Sequence, residues 1–127
     1  MRDRGNEPRW LTFIQMPAFV AAWARLGFSD DDLRQLEMVI MVAPQRGPVV
    51  QGLGGVRKLR FAGADSGTGK RGGARVCYAY FDFAGIVVLL SVFTKSRQPD
   101  LTQEQRRQIA SLVSEIEAYL KARQPHE

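Results

Sequence analysis

From Ile86 to Thr94 the chain reads IVVLLSVFT, apolar at nearly every position rather than at alternate ones. Successive side chains of a strand point to opposite faces, so a strand apolar on both faces is a central one. The segment before it, Ala74 to Asp82, is rich in β-branched and aromatic residues, and only Asp82, Phe83, Ala84 and Gly85 separate the two runs. That spacing predicts an antiparallel hairpin. A further strand is expected over Val56 to Ala62, after the loop-like text APQRGPVVQGLGG, in which a brief strand fits at Val49 to Gln51.

Helices are expected on either side of this block. Residues Trp10 to Gln15 (WLTFIQ) read as a short strand that stops at Pro17, and proline suits the first turn of the helix that follows. Helix one is predicted to run to about Leu26, with Phe19, Val20, Trp23 and Leu26 on one stripe and Gly27 as its stop. Ser29 followed by Asp30, Asp31 and Asp32 places a capping side chain and three acids where exposed N–H groups favour them. Helix two ends before Pro44, with Leu33, Leu36, Val39 and Ile40 as its apolar stripe. The last helix, about Thr102 to Ala122, starts with a capping box of Thr102 and Gln105 and carries Ile109, Leu112, Val113, Ile116 and Leu120 at helical period.

A chain of 127 residues, 45% of them hydrophobic, is long enough for one core, and a single domain over residues 1–127 is expected. One cysteine, Cys77, excludes a disulfide framework and a cysteine-based zinc site; a cytoplasmic setting is the simpler expectation. No run approaches the roughly 20 apolar residues that span a bilayer, and no secretory segment follows the charged start. The charge is local. Arg57, Lys58, Arg60, Lys70, Arg71 and Arg75, against one acid, Asp65, make the stretch from Arg57 to Arg75 worth +5, which equals the net charge of the whole chain. A concentrated positive field around a Gly-rich loop between strands points to a phosphate-bearing partner, a nucleic acid.

Strand parity groups these side chains. Leu59 and Phe61 fall on one face and Lys58 and Arg60 on the other, with Arg57 on the Leu59 side near the start of the strand. Val76, Tyr78 and Tyr80 oppose Arg75, Cys77 and Ala79; Ser91, Phe93 and Lys95 oppose Val88, Leu90 and Val92. If the helices cover the Leu59, Tyr78, Leu90 face, the bare face presents Lys58, Arg60, Arg75 and Lys95, overhung by Lys70 and Arg71. The alternative is a merely solvated charged face with a flexible hairpin loop. GTGKRGG is not a phosphate-binding Walker loop, since Ala64 stands where the first glycine is required and Arg71 follows Lys70. Tyr78 and Tyr80 read as core, His126 as silent, and the three aspartates as helix capping rather than a metal site.

Taken together, GGVRKLRFA, GTGKRGGARVCYAYF and VFTKSRQPDLTQEQRRQI resemble the HigB-type branch of the RelE/ParE toxin superfamily, the toxin half of bacterial type II toxin–antitoxin pairs. The resemblance implies an α+β, RelE-like fold: two N-terminal helices and a C-terminal helix packed on a small antiparallel β-sheet. It implies a ribosome-dependent mRNA endonuclease, hence ribosome and mRNA as partners, and a cognate antitoxin with a helix-turn-helix domain. No metal, membrane or small-molecule cofactor enters. It also implies Lys70, Arg75 and Lys95 as the catalytic set and Arg57, Lys58, Arg60, Arg71 and Phe93 as RNA-binding. RNA is cut without a metal when its own 2′-OH attacks the adjacent phosphate, leaving the protein to orient the chain, transfer protons and stabilise charge. Arg75 is the candidate for charge stabilisation, because a guanidinium holds two phosphate oxygens at once. Lys70 or Lys95 is the candidate base or acid.

The chain departs from the family pattern at two residues, and its gap GADSGTG is a little long. Ala74 stands where an aromatic often precedes the motif arginine, and Phe93 lacks the hydroxyl of an aromatic at the end of the third strand. Proton transfer by Phe93 is thereby excluded and base stacking is left to it. Two other classes stay open: a ParE-like toxin that poisons gyrase, and a non-catalytic relative that binds nucleic acid or antitoxin.

Overall fold

Local sequence signals act where they are expected. The structure, a computed structural model, describes residues 10–63 and 73–124. In chain order it contains β1 (Thr12–Gln15), α1 (Pro17–Arg25), α2 (Asp30–Val42), β2 (Arg57–Phe61), β3 (Ala74–Phe81), β4 (Ile86–Thr94) and α3 (Gln103–Ala122). Pro17 opens α1, where its missing N–H is not needed. Ser29 Oγ accepts the Asp32 N–H at 3.1 Å while Asp32 Oδ2 accepts the Ser29 N–H at 2.9 Å, closing a capping box on α2. Thr102 and Gln105 close a second one on α3, at 3.0 and 2.9 Å. Asp32 is therefore buried as a cap, in keeping with the reading of the three aspartates.

The sheet order is β1-β4-β3-β2, so the doubly apolar strand β4 lies inside, as its composition requires. A 3₁₀ turn, Asp82–Ala84, joins β3 to β4 as an antiparallel hairpin. β1 runs parallel to β4, pairing Thr12 with Ile86 through Gln15 with Leu89, which makes the sheet mixed rather than wholly antiparallel. The expected brief strand at Val49 is a single bridge to Arg57.

The main correction concerns which faces are covered. α1 and α2 pack on one face, in a core of Phe19, Trp23, Leu36, Ile40, Leu59, Phe61, Val76, Tyr78 and Leu89. The rings of Phe19, Trp23 and Phe28 stack in sequence at 5.3 and 4.4 Å. α3 packs on the opposite face, where Ile109 and Val113 meet Cys77, Ala79, Val88, Leu90 and Phe93. Helices thus lie on both faces, and the face expected to be bare is covered over much of its length. Leu90 also changes sides. The β3–β4 register passes from Cys77↔Ser91 to Tyr78↔Leu89, so a bulge inserts Leu90 and turns it toward α3. On α1, Ala22 rather than Val20 is buried; Val20 is 47% exposed.

Leu36 is wholly buried between α2 and the sheet. Leu36→Ala is expected to lower the unfolding free energy by about 2–5 kcal/mol, measured by urea unfolding. A loss well under 1 kcal/mol would show that this core collapses freely around a cavity.

Candidate nucleic-acid interface

The basic side chains are gathered by the register of two strands. Lys58 pairs with Cys77 and Arg60 with Arg75 across β2 and β3, so Lys58, Arg60 and Arg75 share one face, as parity predicts. α3's core stops short of them: Arg60 is exposed, and Lys58 and Arg75 are half-buried. Two arginines directly opposite on one sheet face concentrate positive charge there.

The third wall comes from the loop after α2. Arg46, Gly47 and Pro48 together with Lys58, Leu59, Arg60 and Arg75 line a concave site of about 440 Å³. Four of these seven residues are cationic and none is acidic. The loop lies close against β2: Pro48 O accepts the Lys58 N–H at 3.0 Å, and a side chain at Gly47 would meet Lys58 O at 2.9 Å. The sequence analysis did not single out Arg46. The only local sign of it is a basic residue set between Pro44 and Pro48.

At the margin of the site Lys58 Nζ lies 3.2 Å from Asp100 Oδ1, in the connector between β4 and α3. The same oxygen accepts the Leu101 N–H at 2.8 Å. That backbone hydrogen bond, and after it the Lys58 ammonium, hold the Asp100 carboxyl below the usual aspartate range. The carboxylate is ionised and engaged at neutral pH, which makes it a weak base and no acid. Gln98 Nε2 donates to Asp100 O and to Gln105 Oε1, both at 2.8 Å, so the connector is tied to the start of α3.

The remaining sequence candidates fall out differently. Lys95 is exposed in the turn after Thr94 and does not line the basic site, because β4 ends one residue before parity would carry it there. Phe93 is a correction: it lies opposite Arg75 on β4 but is only 6% exposed, inside the α3 core, so no base can stack on it. Arg57 Nη1 donates to Gln45 O at 3.0 Å and Gly47 O at 2.7 Å. Lys70 and Arg71 lie outside the described residues, as does His126. The loop that carries the two lysine-arginine neighbours returns through Gly73 at φ +63°, where a Cβ would stand 2.6 Å from Phe61 O; only glycine fits. Tyr78 and Cys77 are core residues, and burial pushes the Cys77 thiol up to about 12. Among the described residues no three His, Cys, Asp or Glu side chains cluster as metal ligands do, and no helix is long and apolar enough to cross a membrane.

No family profile matches the chain. Solved structures do. The E. coli toxin RelE, a doubly substituted form in the free state, superposes with a TM-score of 0.52 at 17% identity, over 72% of this chain and 90% of that one. The intact E. coli RelBE toxin–antitoxin complex gives 0.49 at 17% identity, over 66% and 95%. The conserved hypothetical protein HP0892 of Helicobacter pylori gives 0.46 at 14%, over 68% and 96%. The fold of this chain is RelE-like, α+β with three helices and a four-stranded mixed sheet.

Proposed function

We propose that this chain is the toxin of a type II toxin–antitoxin pair, of HigB type, and that it cuts mRNA on the ribosome. The observation that carries the reading is the concave site of Arg46, Lys58, Arg60 and Arg75 on a RelE-like fold, since RelE is itself a toxin. A cluster of cations with no acid among its described lining residues suits a polyanion and, above all, a phosphate that gains charge during reaction.

In the proposed step the 2′-oxygen of a nucleotide attacks the adjacent phosphorus while its proton passes to a base. The bond from phosphorus to the 5′-oxygen of the next nucleotide breaks, and that oxygen takes up a proton. The products are a 2′,3′-cyclic phosphate and a 5′-hydroxyl. Arg75 stabilises the dianionic pentacoordinate phosphorus with two parallel N–H groups. Arg60 and Lys58 hold flanking phosphates, and RNA binding is assigned to Arg71 as well. Proton transfer is assigned to Lys70 or Lys95, of which Lys95 stands in the turn after Thr94, outside the lining of the basic cleft. No metal is needed, because cationic side chains supply the charge stabilisation. The partners are the ribosome, mRNA and a cognate antitoxin with a helix-turn-helix domain, and the setting is the cytoplasm.

Expression of the chain alone in a bacterium tests this. Growth is expected to arrest with amino-acid incorporation lost first, and the cut mRNA is expected to carry 2′,3′-cyclic phosphate ends. Arrest with protein synthesis intact and DNA replication stalled would instead support the gyrase-directed class. Ends carrying a 5′-phosphate would rule out 2′-OH attack.

A further inference from the structure

Five polar backbone atoms of the loop around Arg46 are engaged. Arg57 Nη1 holds Gln45 O and Gly47 O, one peptide before Arg46 and one after it. The Tyr78 hydroxyl donates to Pro44 O at 2.8 Å and accepts the Gly47 N–H at 3.3 Å. Arg46 N–H itself bonds Ala43 O at 3.0 Å. Arg57 and Tyr78 are cross-strand partners on β2 and β3, so one rung of the sheet grips the whole loop from below. Pro44 and Pro48 limit φ at its two ends. The result is a short loop with little freedom left, presenting one guanidinium to the cleft. The Arg46 side chain has no hydrogen-bonded or ion-paired partner among the described residues, whereas the Arg57 guanidinium is spent on backbone carbonyls.

We infer that Arg46 is an RNA-phosphate contact of the cleft and that Arg57 and Tyr78 are positioning residues that hold it there, Arg57 acting on RNA through Arg46 rather than by its own charge. The inference rests on the RNA-cutting reading and deepens it. Preorganisation is the physical reason: a guanidinium on a fixed loop loses less freedom when it meets a phosphate than one on a mobile loop. Burial holds the Tyr78 hydroxyl above the usual tyrosine range, so its donor to Pro44 stays in place across the working pH range.

The test is the salt dependence of binding to a short fluorescent single-stranded RNA. Each phosphate contact contributes about 0.7 to the slope of log K against log salt. Arg46→Ala is expected to reduce the slope by about 0.7. Arg57→Lys keeps the charge but loses the planar fork, and is expected to show the same reduction; adding Arg46→Ala to it removes nothing more. Tyr78→Phe, which keeps the buried ring, is expected to move the slope in the same direction, with cooperative thermal melting showing each variant folded. Three results overturn the inference: an unchanged slope in Arg46→Ala, wild-type binding by Arg57→Lys, or a loss of about 1.4 in the double variant, which would mark Arg57 as a direct contact. Wild-type protein without salt-dependent RNA binding is a different failure, because it removes the RNA reading itself.

Discussion

Arg75→Ala is expected to cut mRNA on translating ribosomes roughly 100- to 1000-fold more slowly than the wild type, the loss typical of removing one preorganised donor from a developing oxyanion. The same substitution is expected to remove toxicity on expression. The fold should survive. Arg75 is half-buried at the start of β3, opposite Arg60, so its truncation removes less buried surface than a core substitution does. Arg75→Lys separates charge from geometry: a lysine keeps the positive field but holds one phosphate oxygen at a time, and an intermediate rate is expected. Thermal melting close to that of the wild type, with the rate lost, supports the assignment. Undiminished cutting by Arg75→Ala would move the reacting phosphate elsewhere on the protein.

Free mRNA is expected to be cut at least about 100-fold more slowly than the same mRNA in translating ribosomes at matched salt, because misplacement by even an ångström costs that much. The site explains why. Its described lining contains four cations and no histidine or carboxylate. Asp100, at its margin, is held ionised by the Leu101 N–H and Lys58, so it neither donates a proton nor accepts one readily. Phe93 has no hydroxyl and is buried. Such a surface binds phosphates anywhere along a strand, with affinity falling steeply as salt rises, yet binding alone does not bring a 2′-OH in line with its leaving oxygen. Under the proposed function, a ribosome holding mRNA in a fixed bent path would supply that alignment. Equal rates on free and ribosome-bound mRNA would show a self-sufficient ribonuclease and would end this part of the proposal.

The candidate site was legible to the extent that it depends on one undisturbed pair of strands. Lys58, Arg60 and Arg75 were placed together by alternation alone, and the β2–β3 register keeps that alternation without a bulge. Alternation failed on the neighbouring pair. Ser91 marks one face of β4, but the bulge at Leu90 breaks the alternation that would carry this mark back along the strand, and packing against α3 sets the side of Leu90. Parity brings Lys95 to that face only if β4 continues past Thr94, where it ends, and alternation alone does not reveal that Phe93 is buried in the core with Leu101, Ile109 and Val113. Arg46 went unnoticed because its position is set from Arg57 and Tyr78, whose atoms reach the loop across 10 to 34 residues of sequence.

Local residue patterns set the succession of elements, their ends and the sign and locality of the charge. Those follow from interactions within a turn or a strand: Ser29 with Asp32, Thr102 with Gln105, proline at the start of α1 and alternation along β2. The tertiary structure alone decided that α3 covers the face opposite α1 and α2, that β1 joins β4 in parallel, and that Arg46 closes the basic cleft. Each of these depends on surfaces meeting across distant parts of the chain, where the energy lies in burial and hydrogen bonding that no short stretch of residues contains.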